Sequence, residues 1–150
     1  MSMVKIWQVI NQNMFEVTNK FEFESAHRLA KGYVGRAKSI HGHLFKGEVT
    51  IFCKHLHRHG LAMPLDKFEN LYKDLIEDLE HSILLYKLDK DLINLCKRKQ
   101  WKYILFNDNP TPETITKWLY ENIKERMLDN YCELKKVSIE TKFVKCEYYD

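Results

Sequence analysis

The chain has 150 residues, enough for one domain with a core of its own, and residues 1–150 are read as a single domain. Hydrophobic residues make up 45% and charged residues 30%, as in a soluble globular protein, and no apolar run approaches the roughly 20 residues that a membrane-spanning helix needs. The net charge of +3 is small and no basic stripe is interleaved with aromatics, which argues against a nucleic-acid partner.

Residues 1–13, MSMVKIWQVINQN, lack the apolar core of a signal peptide and read as an N-terminal extension, so a cytoplasmic protein is expected. From Met14 to His27 the chain alternates, with Phe21, Phe23 and Ser25 on one face and Glu22 and Glu24 on the other, as in a half-buried strand. Residues 28–40 read as a loop. It carries Arg28, Lys31, Arg36 and Lys38 and no acidic residue, which suits either a solvated loop or an anion-receiving rim. A second strand, HLFKGEVTIFC, turns Phe45, Val49 and Ile51 to one side. His55, His57 and His59 follow in a polar turn. The four cysteines, Cys53, Cys96, Cys132 and Cys146, form no C-x-x-C pair and are expected to be free buried thiols.

DKFENLYKDLIEDLEH is the clearest helix: Phe68, Leu71, Tyr72, Leu75, Ile76 and Leu79 make its apolar stripe, and Asp66 is the expected N-cap. KDLINLCKRK reads as a short helix and KYILF as a short strand. Thr111, Pro112 and Glu113 open the next helix as N-cap, first residue and acidic first turn, and its stripe runs Ile115, Trp118, Leu119, Ile123 and Met127. LKKVSIETKFVKCEYY closes the chain as one or two strands. The expected class is α+β, with helices packed on an antiparallel sheet.

Three histidines stand out. His41 and His43, at i and i+2 of a strand, project to the same face. His27 ends the preceding strand, so antiparallel pairing brings all three imidazoles to one point. Three neutral imidazoles with a fourth position open describe a catalytic zinc site, and Gly42 is expected to let the backbone bend between ligands. The plainer reading is strand histidines satisfied by hydrogen bonds. His81 after Glu80 suits either a cation at a helix C-terminus or a carboxylate–imidazole pair for proton transfer. Glu140 is either an ordinary solvent-facing glutamate or a carboxylate able to take two parallel hydrogen bonds from an amidine-like N–H edge.

These segments together resemble the 6-pyruvoyltetrahydropterin synthase / 6-carboxytetrahydropterin synthase family, from about Phe21 to Tyr148. FEFESAHRL is similar to its first zinc-histidine strand and HGHLFKGEVTI to its H-G-H strand. AMPLDKFENL, LEHSILL, NPTPETITKWL and VSIETK match further segments in the right order. The resemblance implies a tunnelling fold: a four-stranded antiparallel sheet with two helices on one face, oligomerising edge to edge into a barrel as trimers or hexamers. It implies zinc on His27, His41 and His43 and a pterin anchored by Glu140. It puts Glu80 and His81 in place of the family's Asp–His relay. Thr111, Glu113, Arg28 and Lys38 are the further substrate-binding candidates. The implied substrate is 7,8-dihydroneopterin triphosphate, handled by a base that removes a carbon-bound proton beside a zinc-polarised side chain. Product and pathway (queuosine base, biopterin or folate) stay open.

Three departures stand in the chain. The relay acid is Glu80 rather than Asp. Ala62 and Lys67 replace a Gly and a Phe. The family's catalytic Cys is missing, with Ala37 near its place and no Cys, Asp or Glu from Arg28 to Ile40. Weak or altered activity is therefore expected, with His81 as base ahead of Lys38 or Tyr33. The alternatives are a non-catalytic zinc- and pterin-binding member, serving as sensor or partner subunit, and a domain that zinc only stabilises.

Overall fold

The computed structural model describes residues 14–128 and 131–149; the N-terminal extension over residues 1–13 lies outside them. Two long strands, β1 (Phe15–His27) and β2 (His41–Cys53), pair antiparallel along their whole length, with His27 opposite His41 and Ser25 opposite His43. The remaining elements are α1 (Leu65–Glu69), α2 (Lys73–Leu79), β3 (Ser82–Tyr86), α3 (Lys90–Lys99), β4 (Tyr103–Phe106), α4 (Pro112–Arg126), β5 (Cys132–Glu140) and β6 (Lys145–Tyr149).

The class is α+β as expected, but the sheet differs from expectation. It has six strands in the order β4-β3-β1-β2-β5-β6, and it is mixed, because β3 pairs parallel with both β1 and β4. The unforeseen strand is β3, SILLY. A parallel strand covered on both faces shows a continuous apolar run with no alternation to read. Leu84 faces the main core, while Leu85 packs with Ile93 and Cys96 of α3 on the reverse face. So α3 lies opposite the other helices, rather than all helices sharing one face.

Along β1 and β2 the alternation holds. Phe23, Phe45, Val49 and Ile51 are buried against Leu75, Leu79, Ile115, Leu119 and Ile123 of the helices. The reverse face carries Glu22, Lys46, Glu140 and Lys145 abreast across β1, β2, β5 and β6. Cross-strand charges of alternating sign suit a water-facing surface.

The long helix expected from Asp66 is broken. Its N-cap is Pro64, with Asp66 in the first turn, and the chain leaves helical geometry at Tyr72 (φ −140°, ψ −10°). The Tyr72 ring packs on Phe21 and Phe68, and the Leu71 carbonyl, lost to the helix, accepts from Nη1 of Arg126 at 3.1 Å. The stripe survives the break because both pieces keep their apolar side on the sheet. Thr111 caps α4 as expected, accepting from the Thr114 N–H at 3.2 Å.

The cysteine expectation needs correction too. Cys53 and Cys132 form a disulfide, while Cys96 and Cys146 are free. β2 ends and β5 begins at these residues, and the register sets them directly opposite, with Cα atoms 4.1 Å apart. Strand pairing thus joins residues 79 positions apart in sequence.

Candidate metal centre

His27, His41 and His43 converge as the pairing requires. Their ring centroids are 4.5 Å (His27–His41), 5.0 Å (His27–His43) and 4.9 Å (His41–His43) apart. One ligand atom from each lies within 4.8 Å of the others. Phe45 stands edge-on to His27 and His43 and stacks on Phe23, so the group sits on the end of the apolar core. Gly42 lies in the regular ladder opposite Ala26 and has no positive φ, so the bend expected of it is not used.

The imidazoles are oriented from behind. Nδ1–H of His27 donates to the Pro110 carbonyl at 2.6 Å, and Nδ1–H of His41 donates to the Ser39 carbonyl at 2.8 Å. That fixes the tautomer and leaves each Nε2 with its lone pair free. Nε2 of His27 is buried without a hydrogen-bond partner. A buried polar atom left so costs about 1–3 kcal/mol unless something binds it. Burial, opposed by the Pro110 hydrogen bond and reinforced by the neighbouring imidazoles, lowers the His27 pKa to about 4, and burial pushes His43 down as well. A neutral imidazole is what a metal ion requires, so these three residues fit a divalent transition metal by donor type, with the tautomer set at His27 and His41 and burial favouring the neutral form at His27 and His43.

The same shift sets a pH dependence for metal-free protein. His27 protonates near 6.5 when unfolded but near 4 when folded, so the unfolded chain binds more protons between those values. Stability from this group is therefore present above about pH 6.5 and falls as pH drops toward 4. At pH 5 the loss is about 2 kcal/mol. Chemical denaturation of chelator-treated protein at pH 7 and pH 5 reads it, and His41→Ala, which keeps His27 buried, should retain the drop. An unchanged midpoint in the treated parent contradicts the assignment.

Other residues singled out by sequence lie elsewhere. His81 follows the C-cap of α2 in left-handed backbone (φ 53°), and its N–H donates to the Glu24 carbonyl at 2.8 Å. Its Nε2 stands 3.0 Å from Oε1 of Glu80, while Oε2 of Glu80 accepts from the Glu24 N–H at 3.0 Å. Nζ of Lys102 binds the carbonyls of Glu77 and Glu80 at 2.6 and 3.0 Å, holding the end of α2 in place. Glu80 and His81 thus stand in contact as a carboxylate–imidazole pair. Glu24, unforeseen, brings its carboxylate within 4.8 Å of the ligand atoms of both. Its alternation with Ser25 was the available signal.

By alternation, Glu24, Ala26, Gly42 and Leu44 occupy the face opposite the three histidines. A hollow of about 480 Å³ beside that strip is lined by Glu24, Ala26, Gly42 and Leu44 together with Ser25, His43 and His81. A second hollow runs from Gly42–Leu44 to Glu140 and Phe143. His81 and Glu140 therefore flank one strip of β2, and the histidine cluster lies on its reverse.

Arg28 is not free to meet an anion. Its guanidinium makes a two-pronged bond to Asp89, 2.7 and 2.5 Å, and Asp89 is only 6% exposed. Lys38 is exposed at the end of a short 3-10 turn (Arg36–Lys38), and Glu113 is exposed in the first turn of α4. Ala37, half-buried in that turn, accepts from the Leu29 N–H at 2.9 Å.

The family model described as 6-pyruvoyl tetrahydropterin synthase matches residues 16–150. The chain belongs to this family. Among curated relatives, the 6-carboxy-5,6,7,8-tetrahydropterin synthase of Aquifex aeolicus is 27% identical, over 89% of this chain and 97% of its own. That of Rickettsia bellii is 25% identical, over 78% of this chain and 86% of its own. Among solved structures, the 6-pyruvoyl tetrahydropterin synthase of Caenorhabditis elegans superposes with a TM-score of 0.67 at 20% identity, covering 91% of this chain and 96% of that one. That likeness establishes the fold, which this chain builds on six strands.

Proposed function

We propose that this chain is a zinc-dependent pterin lyase of the 6-carboxytetrahydropterin synthase type, acting on 7,8-dihydroneopterin triphosphate or a related pterin. The observation that carries the reading is the buried Nε2 of His27, without a hydrogen-bond partner among the described residues and closed in by two further imidazoles. His27, His41 and His43 would hold the ion, which when bound supplies Lewis-acid polarisation of a substrate oxygen.

The remaining work falls to the chain's own side chains. Glu140, exposed between Lys46 and Lys145 of the neighbouring strands, offers two carboxylate oxygens to the paired N–H edge of a pterin. His81, held by Glu80, accepts the carbon-bound proton. Lys38 and Glu113 are free to meet substrate at the rim, whereas Thr111 is spent on capping α4 and Arg28 on Asp89. Because His81 and Glu140 lie on the face opposite the histidines, one chain does not gather the whole set. A second copy supplies what is missing, and β4 and β6, the outermost strands of the sheet, are the edges through which a trimer or hexamer would close.

Ala37 favours a second reading, a non-catalytic member that binds zinc and pterin as a sensor or partner subunit. Incubating zinc-loaded protein with dihydroneopterin triphosphate separates the two. Turnover supports the lyase, and tight binding without turnover supports the second reading. Absence of both turnover and binding would leave the pterin assignment without support. In the same titration Glu140→Gln should bind pterin more weakly by about 1–3 kcal/mol, the cost of leaving buried ring N–H groups unpaired. Equal affinity would move the anchor elsewhere.

A further inference from the structure

We propose that Asn109 is a positioning residue for the three-histidine centre, acting through the backbone carbonyl that orients His27; the inference rests on the zinc reading above. The Pro110 carbonyl is the only protein group that fixes the ring of His27 from behind among the described contacts, at 2.6 Å from Nδ1. What fixes the carbonyl is the residue before it. The side chain of Asn109 bridges to the backbone of Lys31 in both directions: Nδ2 donates to the Lys31 carbonyl and Oδ1 accepts from the Lys31 N–H, each at 2.8 Å. Its own backbone is engaged as well. The Asn109 N–H donates to Oδ1 of Asp108, and its carbonyl accepts from the Thr111 N–H, both at 2.8 Å. Pro110 then has a ring-locked φ between two anchored neighbours, so its carbonyl has one direction to point.

The residue type is specific. A carboxamide carries a donor and an acceptor on neighbouring atoms, so Asn or Gln can close both bonds on the backbone of one residue, and Gln is a methylene longer. Asp keeps the acceptor and loses the donor. The other tie between these loops, Nζ of Lys31 to Asp108 at 3.3 Å, joins two exposed side chains and holds little. Lys31 itself lies inside the loop closed by the Leu29 N–H to Ala37 carbonyl bond. The amide of Asn109 therefore couples the loop bearing Ala37 to the carbonyl behind His27.

The test is zinc affinity of the full chain, measured by competition with a chromophoric chelator, together with the visible spectrum of the cobalt(II)-loaded protein. Loss of a partner that orients a metal ligand typically costs roughly 10–100-fold in affinity. Asn109→Ala should show that loss and an altered cobalt spectrum, because the ring of His27 is no longer held in one orientation. A residue that merely stabilised the fold would leave the spectrum of the folded fraction unchanged. Asn109→Asp, which keeps one of the two bonds, should fall between Ala and the parent and serves if Asn109→Ala does not fold. Asn107→Ala, which removes only a 3.0 Å hydrogen bond to Lys87 in the same loop, should match the parent. Parental affinity and spectrum in both Asn109 variants, or an equal loss in Asn107→Ala, overturns the proposal. A parent chain that binds no zinc overturns the three-histidine reading itself, and this inference with it, and is told apart by the parent titration alone.

Discussion

His41→Ala protein will hold no zinc after passage over a chelating resin, whereas the parent will keep one ion per chain. The expectation follows from how the centre is divided. His27 is buried at 4% exposure and contributes a lone pair that no described residue satisfies. His41 and His43 are only half-buried, and their rings complete the set from the neighbouring strand. Two imidazoles and water make a weak site for a divalent ion, since structural and catalytic zinc both use at least three protein ligands. His41 is also the ligand whose loss least disturbs the core. It opens β2, beyond the span that β5 covers, and its ring is held only by the Ser39 carbonyl. Elemental analysis of folded His41→Ala protein therefore reads metal binding with little contribution from unfolding. Stoichiometric zinc in that variant would mean that the ligand set lies elsewhere, with the Glu24–Glu80–His81 group the next place to look.

The meeting of the three imidazoles was legible in the sequence because two short-range rules combine. Residues i and i+2 of a strand share a face, and two strands joined by a loop tend to pair antiparallel. The caps and stripe of α4 were legible for the same reason, since Thr111, Pro112 and Ile115 through Ile123 are local signals. What was hidden depends on contacts between distant residues. The break in the helix at Tyr72 is compensated by Arg126, 55 positions from Leu71. The disulfide depends on the β2–β5 register, and the engagement of Arg28 on an aspartate 61 positions away. β3 was hidden differently: its sequence is apolar on both sides because α3 covers its reverse face, so periodicity carried no information. Asn109 was hidden because it acts through backbone groups, and Glu24 because alternation gives the face it occupies but not the helix end it meets. Their side-chain types are ordinary in a loop and a strand, and only the positions of their partners give them a role.

Ala37→Cys will raise conversion of dihydroneopterin triphosphate, and His81→Ala will abolish the conversion that the parent retains. A methyl group at position 37 cannot accept a proton, and general base catalysis is typically worth ~10²–10⁴-fold. Ala37 is half-buried, and its backbone is pinned by the Leu29 N–H and by the 3-10 turn, so the added sulfur extends from a fixed Cβ. In the parent the burden falls on His81. With Nε2 facing Oε1 of Glu80 at 3.0 Å, Nδ1 is the nitrogen left to take a proton from substrate carbon, and the imidazolium so formed stands beside a carboxylate. That carboxylate cannot swing away, because its other oxygen is held by the Glu24 N–H and its backbone by Lys102. Glu80→Gln, which keeps the shape and removes the charge, should then lower the rate without abolishing pterin binding. The side chain of His81 is 78% exposed, so its removal leaves the fold intact and the assay interpretable. The measurement is product formation by parent, Ala37→Cys, His81→Ala and the double variant under equal zinc loading. Rates in Ala37→Cys that equal the parent, together with a His81→Ala variant as active as the parent, would put the base on a residue other than these. A double variant that retains the gain of Ala37→Cys would show that the thiol works without the imidazole, and the two groups would then be alternatives rather than partners in one proton transfer.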